Sequence, residues 1–262
     1  MDKVTIEQLN RINQDFYRTT ADHFELLRRG AWPGWRRLLI HLEDLKQPLS
    51  VLDVGCGNGR FGAFLAQHLD PTLAYHGVDS NARLLEHAAI TLQPAIAQGM
   101  RVRLESRDIV KNPLEPDLPH PLPLSVRGEG RGADMALYNL VVLFGVLHHI
   151  PGADQRRMLM RDLAARVAPG GVLAFASWRF YEYARYRDRL LPLPDDLMVE
   201  PHDYLLDWRR GIQAVRYCHY VDDAEQSALI AATDLIELET YRADGDTGDV
   251  NCYSILRAPD ER

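Results

Sequence analysis

Cysteine is scarce. Cys56, Cys218 and Cys252 are the three thiols in 262 residues and stand far apart, outside any metal-ligand spacing. That argues against a disulfide framework or a metal cage and suits a reducing compartment. No apolar run approaches the roughly 20 residues that span a bilayer, and the polar start Met1-Asp2-Lys3 has no hydrophobic signal core. A cytoplasmic protein with no membrane contact is expected. An excess of basic residues is also missing: 30 Lys and Arg against 37 Asp and Glu leave a formal charge of -7. This excludes a uniformly basic nucleic-acid-binding surface but permits a local patch.

What the chain does carry is Val51-Leu52-Asp53-Val54-Gly55-Cys56-Gly57-Asn58-Gly59-Arg60, an apolar run that breaks into alternating glycines before a helical pattern. A buried strand ending in such a turn brings the backbone close to a ligand, and the following helix presents free amides there. The Gly-Lys-Ser/Thr ending of a phosphate-binding P-loop is absent, because Gly59 is followed by Arg60 and Phe61. Gly57-x-Gly59-x-x-Gly62 leaves a dinucleotide reading open, but Asp53 inside the strand would repel a pyrophosphate and attract a sulfonium or amino group. Two more strand patterns follow, Tyr75 to Asp79 and Val102 to Ser106, and each leads to an acid, Asp79 and Asp108. The first of these can accept from ribose hydroxyls, the second from an adenine amino group beside an apolar wall.

The set Asp53-x-Gly55-x-Gly57-x-Gly59, then Asp79, then Asp108, resembles the class I S-adenosylmethionine-dependent methyltransferases over roughly residues 50 to 178. The resemblance implies a doubly wound α/β fold with a mostly parallel sheet and an antiparallel last strand, and S-adenosylmethionine as cofactor. Its residues would include Tyr17, Asp53, Gly55, Cys56, Gly57, Asp79, Ser80, Asp108, Ile109 and Leu143. A narrower resemblance lies in Tyr17-x-x-x-Ala21-Asp22-His23-Phe24-x-x-x-Arg28-x-x-x-Trp32-Pro33, in Trp178, in Arg216-Tyr217-x-His219 and in Asn251. It is similar to the enzymes that esterify carboxymethylated wobble uridine of tRNA, some of which work with a small activating partner protein.

Around this core, residues 1–47 read as a helical extension covering the open edge of a methyltransferase domain at 48–262. Asn81 to Leu92 reads as a crossover helix with Ser80 as its cap. Five prolines and three glycines make 113–133 an insertion outside the sheet, either without catalytic function or a lid. Residues 179–215 read as a helical insertion in which arginines and aromatics alternate. That mixture suits phosphate contact and base stacking, and equally a packed aromatic face with solvated charges. His148-His149 invites a metal or base reading against a structural one. Tyr138-Asn139 stands where the family commonly has an aromatic-Asp pair, which leaves the role of that acid unfilled.

No acid-base dyad is evident. Transfer to a carboxylate, already ionised at neutral pH, needs none. Arg28 and Arg216 are candidates to hold such a carboxylate by a two-pronged contact, with His219 beside them. The acceptor is either tRNA or a small-molecule carboxylate or hydroxyl. A cofactor-binding module without turnover is a third possibility.

Overall fold

The computed structural model describes residues 1–27, 30–114, 137–210 and 212–260. The chain opens with α1 (Lys3–Leu27) and α2 (Gly34–Leu38), then alternates β1 (Ser50–Val54), α3 (Arg60–His68), β2 (Ala74–Asp79), α4 (Ala82–Thr91), α5 (Gln93–Ala97) and β3 (Arg101–Ser106). Next come β4 (Tyr138–Phe144), α6 (Ala153–Ala164), β5 (Val167–Trp178) and α7 (Ala184–Arg187). Strands β6 (Leu190–Leu191), β7 (Asp203–Arg210) and β8 (Ile212–His219) lead to α8 (Asp223–Ala231), β9 (Ile236–Ala243) and β10 (Asn251–Arg257).

Seven strands form one sheet in the order β3-β2-β1-β4-β5-β10-β9. β1 to β5 pair in parallel, and β10 enters antiparallel between β5 and β9. The direction of winding reverses between β1 and β4. Such a switch point leaves a crevice beyond the carboxyl ends of the strands, the usual ligand position in open α/β sheets.

Alternation along each strand decides which side chains support that crevice. Leu140, Val142 and Phe144 of β4 pack on one face with Trp35, Phe61 and Phe64. Val141 and Leu143 pack on the other with Leu159 and Leu163 of α6. Both faces are covered, so residues 140–144 of β4 form a continuous apolar run rather than alternating with polar residues. Asn139, where an acid was looked for, sits at the opposite end of β4 from the crevice. Its Oδ1 accepts from the Ser50 backbone N–H and hydroxyl, both at 2.9 Å. An amide oxygen serves that purpose as well as a carboxylate.

Two expectations are corrected. Residues 179–215 are not a helical insertion: apart from two single turns at 180–182 and 184–187, they build a three-stranded antiparallel sheet β6-β7-β8. The helical turn already ends at Arg187, before β6 and the prolines at 192 and 194, and Tyr204-Leu205-Leu206 and Trp208 are strand-compatible residues that a helical period does not weigh. The cap of α4 is Asn81, whose side chain accepts from the Leu84 N–H at 3.0 Å, and not Ser80. The 113–133 insertion lies almost wholly outside the described residues.

α1 packs along β8 and α4. The small sheet and the N-terminal helix thus close over the carboxyl edge of the large sheet. Among the described residues no helix is long and apolar enough to cross a membrane.

The turn after β1 has little room. Gly55 has φ +76°, and a Cβ there would lie 2.0 Å from Val146 Cγ2. Gly55→Ala is expected to destabilise the fold by about 1–3 kcal/mol, from left-handed strain and overpacking together. Urea denaturation should show a lowered midpoint with an unchanged slope.

Candidate active site

The glycine turn, the tips of β2 and β3, the β4 end and α1 enclose a cavity of about 150 Å³. Asp79 is fixed at its wall: the Gly57 N–H donates to Oδ2 at 2.9 Å and the Asn81 N–H to Oδ1 at 2.8 Å. Burial raises its pKa, partly offset by the amides of Asn81, Gly57 and Ser80. Asp53 lies deeper and accepts from the Tyr75 hydroxyl at 2.5 Å. Burial pushes its pKa up to about 7; the Tyr75 bond and Arg60 pull downward while Asp79 adds to the rise. A cation in the cavity would reverse that cost, so the wall is complementary to a positively charged ligand group. Cys56 also lines the cavity, and burial raises its thiol pKa well above normal, leaving it neutral.

Asp108 is reached from α1. Asn10 Nδ2 and Gln14 Nε2 donate to its Oδ2 at 2.8 and 2.6 Å, and the Val110 N–H donates to Oδ1 at 3.0 Å. Asn10, Asn13, Gln14 and Tyr17 recur at i, i+3, i+4 and i+7, so they share one helix face, and that face roofs the cavity. Asn13 joins the same roof to β8, with Oδ1 accepting from the Tyr217 N–H at 2.9 Å and Nδ2 donating to the His149 carbonyl at 3.3 Å.

His149 completes this join. Its Nδ1 lies 2.9 Å from the Tyr217 carbonyl, which can only accept, so Nδ1 carries the proton. In the neutral ring the bare Nε2 then accepts from the Tyr17 hydroxyl at 2.9 Å. The second of the paired histidines therefore orients Tyr17, and His148 packs edge-on against Trp178.

A second cavity of about 260 Å³ adjoins the first and shares Tyr17, Trp32 and Gly145 with it. Its walls include Trp178, Trp208, Arg189, Arg216, Asp244 and Asn251. Arg216 is 7 % exposed. Its guanidinium lies 4.6 Å from the Trp178 ring, 5.4 Å from Phe16 and 5.6 Å from Trp208. Among the described residues no carboxylate is paired with it.

Of the residues expected at the site, Tyr17, Asp53, Gly55, Cys56, Gly57, Asp79, Ser80, Asp108 and Ile109 come together around the first cavity. Leu143 does not: it is fully buried in the core face against α6, and its neighbours Phe144 and Gly145 reach the cavity instead. Arg216 reaches the second cavity, whereas Arg28 lies outside the described residues. His219 is elsewhere, buried between Asp203 at 2.7 Å and Glu225 at 2.6 Å. Burial opposes its charge, but the two carboxylates outweigh it and raise its pKa. Glu225 is in turn bound by Arg156 at 2.6 Å, so this cluster anchors α6, α8 and β8 to one another. Asn10, Asn13, Gln14, Trp208 and Asp244 escaped the sequence reading; the polar i, i+3, i+4, i+7 stripe before Tyr17 was the available signal.

A glycine turn and three strand-tip acids at the switch point of a seven-stranded sheet define the adenosyl-cofactor methyltransferase fold. Residues 52–173, a little under half of the chain, match the family model described as a methyltransferase domain. Over 214 residues it is 24% identical to the probable tRNA methyltransferase 9B of Mus musculus, covering 81% of this chain and 37% of that protein. It is 25% identical over 162 residues to the tRNA (carboxymethyluridine(34)-5-O)-methyltransferase of Arabidopsis thaliana, covering 62% of this chain and 31% of that one. The chain thus spans about a third of the length of these curated relatives. Among solved structures, a SAM-dependent methyltransferase from Methanosarcina mazei superposes with a TM-score of 0.61 at 15% identity, over 88% of this chain and 99% of that one.

The raised pKa of Asp53 makes ligand binding pH-dependent. Folding favours its neutral form, so the stability it contributes is complete below the unfolded value near 4 and is lost as pH rises through about 7. A bound amino group draws the ionised form instead. Affinity for S-adenosylhomocysteine should rise about tenfold from pH 6 to pH 8, following the ionised fraction. Calorimetry should show a flat and weaker profile for Asp53→Asn.

Proposed function

We propose that this chain transfers a methyl group from S-adenosylmethionine to a carboxylate of a modified wobble uridine in tRNA. The observation that carries the acceptor class is Arg216, a nearly buried guanidinium held by three aromatic faces and paired with no carboxylate among the described residues. A buried charge in that state is costly unless an anion completes it. A planar carboxylate accepts two parallel hydrogen bonds from a guanidinium, and the aromatic walls fix the plane of the fork.

The first cavity fits the cofactor. Asp79 would take the ribose hydroxyls and Asp108 with Ile109 the adenine, while Gly55, Cys56, Gly57 and Asp53 would face the amino-acid portion. When bound, S-adenosylmethionine supplies an electrophilic methyl on a sulfonium, which an ionised carboxylate attacks without a general base. The residues of this chain have to align the acceptor and exclude water. Arg216 holds the acceptor oxygen from the β8 side. Tyr17, its hydroxyl committed to His149, stands at the junction of the two cavities. Trp32, Trp178 and Trp208 give the second cavity stacking surfaces for a base.

The names of the mouse and Arabidopsis relatives support tRNA as the carrier of that acceptor. Incubation with labelled methyl donor and tRNA lacking the ester should place label in tRNA, released by mild alkali as expected of an ester. Bound donor with no label in tRNA would defeat the reading. Arg216→Lys keeps the charge but loses the fork, and kcat/KM should fall by about 10- to 100-fold, with donor affinity unchanged.

A further inference from the structure

The second cavity has another polar wall, built from the turn before β10. Asp244 adopts the left-handed backbone, φ 70°, which non-glycine residues enter rarely and which Asp tolerates better than most. It is 5 % exposed, and its carboxylate accepts from the Gly34 N–H at 2.8 Å, Asn251 Nδ2 at 2.8 Å and the Tyr253 hydroxyl at 2.5 Å. No cation pairs with it among the described residues. A carboxylate can only accept, so the amide nitrogen of Asn251 is turned toward Asp244 and its oxygen toward the other side. Asn251 is 8 % exposed and lines the cavity, and among the described residues its side-chain bond is the one its nitrogen makes to Asp244.

Both residues line the cavity that contains Arg216. Trp178 links the two walls: its ring lies 4.6 Å from the guanidinium, and its backbone is the ladder partner of Asn251. One wall therefore offers a cation and the other offers acceptors, with an indole between them. A ligand that satisfies both has a carboxylate, a flat ring and an N–H donor.

We propose that Asn251 Oδ1, fixed in direction by Asp244, accepts the imide N3–H of the acceptor's uracil ring and so determines base specificity at this site. The inference rests on the transfer reading given above and adds the element that distinguishes uracil from a ring without a donor at N3. Once a ligand excludes water from Asn251 Oδ1, an acceptor left facing no donor carries a desolvation cost, which is what makes the discrimination steep.

The test uses the full chain saturated with S-adenosylhomocysteine, and tryptophan fluorescence as the binding readout. The probes are 5-carboxymethyluridine and its 3-methyl derivative, which lacks the N3–H. The derivative should bind wild type about 10- to 100-fold more weakly than the parent. Asn251→Ala should bind the parent more weakly and bring the two probes within about threefold of each other, as expected when the coupled partner is removed. Equal binding of both probes by wild type, or binding of neither, overturns the inference, and that comparison needs no variant to fold. Label transfer measured in parallel separates the two claims. Selective binding without transfer refutes the transfer reading alone, and equal transfer to both probes refutes the base-reading role alone.

Discussion

The site depends on a single imidazole placed between three elements. His149 donates from Nδ1 to the backbone of β8 and accepts at Nε2 from Tyr17 of α1, while its own carbonyl receives Asn13. The bonds to Tyr217 and from Asn13 are buried and that from Tyr17 is partly so, and an unmade buried hydrogen bond costs its full desolvation. The N-terminal helix is therefore pinned to the sheet at the point where the two cavities meet. Without that pin the first cavity would lose its roof and the second would lose Tyr17, so both would open to water together. The helix and the small β6-β7-β8 sheet are additions to the parallel core, yet they complete the enclosure of both cavities.

Electrostatics divides the enclosure. The first cavity gathers Asp53, Asp79 and Asp108, and burial raises the first two against their ordinary ionisation. The second sets Arg216 and Arg189 against Asp207 and Asp244 within aromatic walls. Under the transfer proposed above, a cationic donor would face the acids of the first cavity and a carboxylate acceptor would face Arg216 in the second, the two meeting at the wall the cavities share. A net charge of -7 leaves room for a single guanidinium such as that of Arg216 to face the second cavity.

The parallel core and the cofactor cradle were legible because they depend on local signals. Apolar runs ending in glycine or an acid, spaced by helical stretches, specify strand, turn and crossover with little help from the rest of the chain. Asp53, Asp79 and Asp108 converge because parallel strands end on one edge. Leu143 was misplaced by one residue, enough to send a side chain to the opposite face of the sheet. The 179–215 segment was misread because arginines and tyrosines fit a helical period as well as a strand, and only pairing with β8 decides between them. Asp244 gave no signal, since its importance comes from Gly34, 210 positions away, and from the bend that turns it inward.

The position of β10 has a consequence for biosynthesis. β10, the latest in chain order of the seven strands, is an interior strand of the sheet, lying between β5 and β9 rather than at an edge. Until it arrives, β5 presents an unsatisfied row of amides and carbonyls, and Trp178 has no ladder partner. The nascent polypeptide must hold a half-built sheet open until residues 251–257 emerge, and closure waits on contacts of long sequence separation, which form slowly.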